Sequence, residues 1–324
     1  MANLKEIQQY VTDLFEKQDF KKQPLVLYDP VQYTMKLGGK RLRPLLLMLA
    51  ADMFSADLKD TDNAAIAIEL AHNFTLLHDD IMDASPLRRG KPTVYQKFGT
   101  DKAILSGDVM FAKAYDYLLK YDKEKATALM KTLAGVMVQV CEGQAYDMNF
   151  EQRNDVSAKE YITMISLKTA VLLVASLKMG AIIAGASAED MNALTEFGLY
   201  LGIAFQLRDD VLDCWSDLEE FGKVIGSDIV DNKKTILFLT AVEKADEKDL
   251  QELVSWYLEK TNDFQTKKQR VIELFEKYKV RDVVEQMIGQ YTIQALATLD
   301  KINVDESKKE NLRALTSQLV DRKK

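Results

Sequence analysis

Proline placement constrains this chain more than any other feature. All five prolines, Pro24, Pro30, Pro44, Pro86 and Pro92, lie in the first 92 residues, and residues 93–324 contain none. Proline removes a backbone donor and clashes with the preceding turn, so it breaks helix interiors. Its absence over most of the chain permits long helices, and the apolar pattern agrees. Leu4, Ile7, Val11 and Leu14 follow a helical period. "SAKE", 157–160, is a capping box of Ser157 with Glu160, ahead of an apolar run reaching Ala186. "SAED", 187–190, is a weaker cap for the next run, which reaches Asp213. Alternating strand patterns with Asn-Gly or Asp-Gly turns are absent. The expectation is an all-α protein of roughly ten or more helices. No linker rich in Pro, Gly or Ser interrupts it, so one domain over residues 1–324 is expected. The charged, amphipathic segment after about 245 reads as covering helices.

Hydrophobic residues make up 47% of the chain, enough for a large core. The 43 basic and 50 acidic residues give a net charge of −7, with no polybasic tract, which argues against nucleic acid as a partner. Cys141 and Cys214 form no CxxC or disulfide framework, and "MANLKEIQQY" has no signal-peptide core, so a cytoplasmic location is expected. The best membrane-spanning candidate is 170–186, but Lys178 sits at its middle and no aromatic belt flanks it. It reads as a buried helix, with no integral membrane segment expected.

Two acidic stretches carry the chemistry. "HDDIMD", 78–83, recurs as "RDDVLD", 208–213, each closing an apolar helical run and preceding a basic loop. Asp79 and Asp83 share a helix face, as do Asp209 and Asp213. Such like-charge pairs repel by a few tenths of a kcal/mol. They also sit near helix C-termini, where the macrodipole disfavours anions. Two violations of the same local rule mark a functional site. Hard cations would relieve them, and Mg²⁺ is usually held by one or two carboxylates plus substrate phosphates. His72, seven before Asp79, and Gln206, three before Asp209, lie on the same faces.

The cations follow. In "LGGKRLRP", 37–44, Gly38-Gly39 would let the backbone approach an anion closely or turn sharply, and Lys40, Arg41 and Arg43 begin a helix. Arg88, Arg89 and Lys91 follow the first acidic stretch, and Lys223 and Lys233 follow the second. There is no Walker A motif, no GxGxxG and no G-x-S-x-G elbow, and two histidines are too few for a histidine–aspartate phosphohydrolase.

"GGKRLRP", "LLHDDIMDASPLRRGKPT", "FQLRDDVLD" and "GKVIGSDIVDNKKT" together resemble the signature set of the trans-isoprenyl diphosphate synthases, over about residues 31–240. The resemblance implies a helical bundle around a central cavity, usually a homodimer. It also implies three Mg²⁺ ions and head-to-tail condensation of isopentenyl diphosphate with an allylic diphosphate. Asp79, Asp83 and Asp209 match the Mg²⁺-binding aspartates, and Asp80, Asp210 and Asp213 complete the two motifs. Arg88, Lys168, Thr169, Gln206, Lys223 and Lys233 match contacts to the allylic diphosphate. Lys40, Arg43, His72 and Arg89 match contacts to isopentenyl diphosphate. "EGQAYDM", 142–148, resembles a cavity-lining helix motif, and the C-terminal "DRKK" is similar to basic tails that close over the homoallylic diphosphate in some members.

Product length is read from Phe74 and Thr75, five and four residues before Asp79. At 1.5 Å per residue Phe74 lies about 7.5 Å along the axis, where a bulky ring can floor a cavity. An aromatic there, with no insertion inside DDxxD, is similar to geranylgeranyl-type enzymes. The expected product is geranylgeranyl first and farnesyl second. Five residues also turn the helix by about 140°, which leaves ordinary core packing open for Phe74. The alternatives are a longer-chain synthase, a class I terpene cyclase and a non-catalytic subunit of a hetero-oligomeric prenyl synthase. A cyclase needs no second diphosphate site, and non-catalytic subunits lose the aspartates.

Overall fold

The structure, a computed structural model, describes residues 2–215, 226–258 and 263–322. Among them the helices are α1 (Leu4–Glu16), α2 (Leu25–Lys36), α3 (Leu42–Met53), α4 (Asp62–Met82), α5 (Val94–Phe98), α6 (Thr100–Leu118), α7 (Lys123–Gln152) and α8 (Ala158–Ile165). They continue with α9 (Val171–Ala184), α10 (Ala188–Trp215), α11 (Ser227–Val230), α12 (Ile236–Lys244), α13 (Glu247–Leu258), α14 (Phe264–Lys277), α15 (Val280–Asp300) and α16 (Glu306–Val320). The all-α expectation holds, and the longest helices, α7 and α10, lie in the proline-free region.

The caps read from sequence are present. The Ser157 hydroxyl accepts from the Glu160 amide and the Glu160 carboxylate accepts from the Ser157 amide, starting α8. Ser187 accepts from the Asp190 amide at the start of α10. Pro44 falls in the first turn of α3, where a missing donor costs little. Pro30 lies inside α2, and the carbonyl it would deprive belongs to Val26, which is 63% exposed and open to water.

One short hairpin departs from the helical pattern. β1 (Leu87–Arg88) pairs antiparallel with β2 (Lys91–Pro92). Arg89 and Gly90 form the turn at φ 54° and φ 72°, the doubly left-handed backbone of a type I′ hairpin. Arginine stands where asparagine is usual, so the turn has no common sequence signal.

The chain groups into two compact units. One contains Met1–Val136, Leu172–Thr195 and Leu299–Leu315, and the other Met137–Val171, Glu196–Thr298 and Thr316–Lys324. In the first, α3 and α4 supply fully buried apolar side chains such as Leu46, Leu47, Met48, Ile68 and Leu70. In the second, Phe197, Phe275 and Leu207 are among those withdrawn from solvent.

Between α8 and α9 the backbone takes one wider turn, a π segment over Ser166–Ala170. The helical run Ala158–Ala184 is, among the described residues, the one helix long and apolar enough to cross a membrane by length and composition. Because 61% of its most apolar window is buried inside the protein, its apolarity is used in packing. Gly180 shows how tightly α9 meets α3: a Cβ there would lie 3.0 Å from both the Ala50 Cβ and the Ala51 nitrogen and closer still to the Leu47 carbonyl. Gly180→Ala is therefore expected to destabilise the protein by about 2–3 kcal/mol through overpacking against backbone. Denaturant unfolding with an unchanged midpoint would show that the two helices can separate freely.

Candidate active site

In the first unit the site grows from the C-terminal end of α4. Asp79 and Asp83 are half-buried, and Asp83 is the C-cap, its amide donating to the Asp79 carbonyl at 2.8 Å. Asp80 is buried at 4% exposure and turned toward Arg88, which donates from Nε at 3.0 Å and from Nη2 at 2.5 Å to one carboxylate oxygen. This bidentate pair fixes Arg88 on the hairpin. Thr93 closes the loop by donating to the Ser85 carbonyl at 2.9 Å.

The Gly38-Gly39 turn has positive φ at both residues, 83° and 118°. Both glycines take the left-handed backbone, a sharp turn that is one of the two uses expected of the pair. The Arg89 guanidinium lies on it, donating to the Gly38 carbonyl, and a Cβ at Gly39 would lie 2.5 Å from the Arg89 Cζ. Glycine is required for that approach. Residues fifty positions apart in the chain thus meet in one basic cluster.

His72 is buried, and burial first, then the cations Arg43, Arg89, Arg88 and Arg41, hold its pKa well below the usual histidine value. A neutral imidazole adds a hydrogen-bonding group without adding another positive charge. Lys40 is exposed on the same turn and Arg43 is half-buried.

Phe74 is half-buried in an aromatic stack. Its ring lies 4.7 Å from the His78 ring and 5.1 Å from Phe111, which is 5.2 Å from Tyr115. His78 reaches α6 because Gly107 has no side chain there: a Cβ at Gly107 would sit 2.7 Å from His78 Cδ2. Thr75 donates its hydroxyl to the His72 carbonyl at 2.8 Å, so its polar group is satisfied within the helix.

The second unit holds a cleft of about 100 Å³. Lys168, Thr169, Gln206, Asp210 and Lys233, all singled out in the sequence, line it together. Lys168 and Thr169 lie on the π segment, an irregularity often found at functional sites. Gly143 allows it: a Cβ there would come within 2.8 Å of Lys168 Cα and the Leu167 carbonyl carbon. Lys168 donates to Asp147 at 2.6 Å. Thr169 donates to Gln206 at 2.9 Å, and Gln206 donates to Asp210 at 3.0 Å. Tyr161 donates to the other Asp210 oxygen at 2.5 Å. Burial, then neighbouring Asp228, pushes the Asp210 pKa well above the usual carboxylate range.

The six aspartates of the two motifs differ in their partners. Asp80 is committed to Arg88, and Asp210 to Tyr161 and Gln206. Asp213 accepts from the Ser227 hydroxyl at 2.6 Å and the Asp228 amide at 3.1 Å, tying the far end of the following loop to α10. Asp79, Asp83, Asp209 and Asp213 are half-buried, whereas Asp80 and Asp210 are buried. Asp209 accepts from Arg322 of the C-terminal "DRKK", whose guanidinium also lies 4.4 Å from the Phe205 ring centroid. Lys223 lies outside the described residues, as do Lys323 and Lys324.

Carboxylate oxygens are hard donors, which fit Mg²⁺. Among the described residues no three His, Cys, Asp or Glu side chains converge as a metal cage. A cation held here would share its shell with phosphate oxygens and water, as Mg²⁺ commonly does. Asp147, Tyr161, Asp228 and Arg322 had not been singled out as site residues. Asp147 had a signal as the aspartate of "EGQAYDM", Asp228 lies in "GKVIGSDIVDNKKT" and Arg322 in "DRKK", whereas Tyr161 had none.

An all-α fold with aspartates and clustered cations at the ends of apolar helices defines a class that handles diphosphates with divalent cations. The family model for polyprenyl synthetase matches residues 24–275. The chain is 45% identical over 229 residues to the geranylgeranyl diphosphate synthase of Methanosarcina mazei, covering 70% of this chain and 71% of the relative. It is 36% identical over 301 residues to the geranylfarnesyl diphosphate synthase of Aeropyrum pernix, covering 90% and 93%. A crystal structure of a geranylgeranyl pyrophosphate synthase superposes with a TM-score of 0.95 at 42% identity, covering all of both chains. The chain belongs to the polyprenyl synthetase family.

Gly143→Ala should push the π segment and with it Lys168. The variant is expected to keep its helical circular dichroism yet bind inorganic pyrophosphate with Mg²⁺ about tenfold more weakly, ~1.4 kcal/mol. Unchanged affinity by calorimetry would mean that the bulge does not set the position of Lys168.

Proposed function

We propose that the protein is a trans-prenyltransferase that condenses isopentenyl diphosphate with an allylic diphosphate, releasing pyrophosphate and a short trans-prenyl diphosphate. The observation that carries this reading is the presence of two different anion-binding constellations. One is a basic cluster around neutral His72, with Arg89 on the Gly38-Gly39 turn. The other is the cleft where Lys168, Thr169 and Gln206 share a hydrogen-bonded frame with Asp147 and Asp210. A class I terpene cyclase has one diphosphate to bind and no use for the first. A non-catalytic subunit has no use for Asp79, Asp83 and Asp209.

Asp79, Asp83 and Asp209 would hold the Mg²⁺ ions, three in number by family resemblance. Bound Mg²⁺ supplies neutralisation of diphosphate charge. The side chains position and stabilise charge. Lys168, Thr169, Gln206 and Lys233 hold the allylic diphosphate, and Lys40, Arg43, His72 and Arg89 hold isopentenyl diphosphate. The allylic C–O bond breaks, its electron pair leaving with pyrophosphate. The isopentenyl double bond attacks the allylic carbon, and the pyrophosphate takes the proton lost as the new double bond forms. Apolar helices leading to each aspartate pair exclude water that would quench the cation.

The product assigned is geranylgeranyl diphosphate, with farnesyl next. This rests on Phe74, locked five residues before Asp79 by Phe111 and His78, and on the geranylgeranyl synthases among the relatives. A homodimer in the cytoplasm is proposed with it, supported by family resemblance and by two free cysteines, exposed Cys141 and buried Cys214.

Chromatography of products made from labelled isopentenyl diphosphate tests the whole reading. Four isoprene units are expected, and no incorporation without an allylic primer. Asp79→Ala or Asp209→Ala should lower turnover by about three powers of ten, ~4 kcal/mol. Near wild-type turnover with Mg²⁺ binding intact would remove these residues from the metal site. Phe74→Ala should lengthen the product by opening space that apolar chain can fill. An unchanged length distribution would reduce the stack to ordinary packing.

A further inference from the structure

We infer that Arg41 and Glu69 are a positioning pair that touches no substrate and holds the Gly38–Arg43 turn in its diphosphate-binding shape, an inference that rests on the isopentenyl diphosphate site proposed above.

Arg41 is the middle cation of "KRLR" and behaves unlike its neighbours. Lys40 is exposed, whereas the Arg41 side chain is only 10% exposed and points inward. Its backbone is left-handed, φ 45° and ψ 42°, at the N-cap of α3. A non-glycine residue there costs on the order of 1 kcal/mol and persists only where its surroundings overdetermine it.

Three elements supply that determination. Nη1 donates to Glu69 Oε1 on α4 at 2.6 Å. Nη2 donates to the Met35 carbonyl in the last turn of α2. The guanidinium carbon lies 4.8 Å from the Phe15 ring centroid on α1. One planar fork therefore caps the helix before the turn, neutralises a carboxylate on α4 and packs on an aromatic. A lysine ammonium lacks that geometry.

Glu69 is itself held. Its side chain is 2% exposed, and Asn73 donates to its Oε1 at 3.1 Å and to its carbonyl at 2.8 Å. It lies one turn before His72 on α4, so the carboxylate that anchors the turn and the imidazole proposed to meet substrate share a rigid element. Removing Arg41 would leave a buried carboxylate uncompensated, and removing Glu69 would leave a buried guanidinium so. Either change should let the turn relax from its strained backbone and carry with it Lys40, Arg43 and the Gly38 carbonyl that receives Arg89.

The test uses the full-length chain with Arg41→Lys, Glu69→Gln and the double variant. Each folded variant is expected to raise the KM for isopentenyl diphosphate about tenfold. The KM for the allylic substrate and kcat should stay within about threefold. The double variant should be no worse than the worse single one, because the two residues act as a unit. Calorimetry of inorganic pyrophosphate without Mg²⁺ gives a second readout, with affinity falling in parallel. The inference is overturned if folded variants keep the wild-type KM for isopentenyl diphosphate, or if both KM values and kcat worsen together. Failure of the wild type to consume isopentenyl diphosphate would overturn the proposed function instead. Pyrophosphate affinity unchanged in both single variants would then overturn the positioning role on its own.

Discussion

A carboxylate at the C-terminal end of an apolar helix is unfavourable twice over, through the dipole it faces and through the water it loses. The site is arranged around that constraint. Asp80 has the bidentate Arg88, Asp210 has Tyr161 and Gln206, and Asp213 has Ser227 and a backbone amide. These partners do more than compensate charge. Each ties a separate segment to the end of α4 or α10: the hairpin, the start of α8 with the π turn, and the loop entering α11. Asp79, Asp83 and Asp209 are half-buried, as is Asp213, and carboxylate oxygens in such positions suit a hard cation.

The backbone carries a matching pattern of close approaches and strain. Arg41, Ala84 and Arg89 hold positive φ without being glycine, Ala84 and Arg89 just after the first acidic stretch and Arg41 at the N-cap of α3. Such conformations survive only when side chains lock them. Arg89 is locked by the Gly38-Gly39 turn and Arg41 by Glu69, Met35 and Phe15. Gly143 beside the π segment does the same job by subtraction, letting Lys168 come close to α7. Positioning of this kind matters for a reaction in which the protein supplies geometry and charge and the diphosphate supplies the leaving group.

The basic residues show that clustered charge in a sequence is not one function. Of Lys40, Arg41 and Arg43, the middle residue turns into the interior and the first stays outside. Lys233 and Lys234 both line the cleft, and Lys234 also donates to the Phe150 and Glu151 carbonyls at the end of α7. A lysine on the last carbonyls of a helix complements its dipole. It frames the cleft without needing to reach substrate.

The all-α class, the caps at Ser157 and Ser187 and the two aspartate motifs were legible because they depend on local spacing: 3.6 residues per turn, a hydroxyl three residues before its amide, carboxylates four apart. Much of the candidate site was legible for the same reason, since Lys168, Thr169, Gln206 and Lys233 lie in recognisable motifs and meet in one cleft. Tertiary structure decided which member of each motif does what. Asp80 and Asp79 are adjacent and chemically identical, yet Asp80 is buried against an arginine eight residues later and Asp79 is half-buried. Tyr161, 49 residues from Asp210, and Arg322, 113 from Asp209, could not be seen from either end. The sequence by itself determined the helices and the chemical types at their ends, because those follow from neighbours along the chain. Which charges are neutralised and which remain available for substrate depended on desolvation and on partners brought close only by packing, and those are properties of the folded chain.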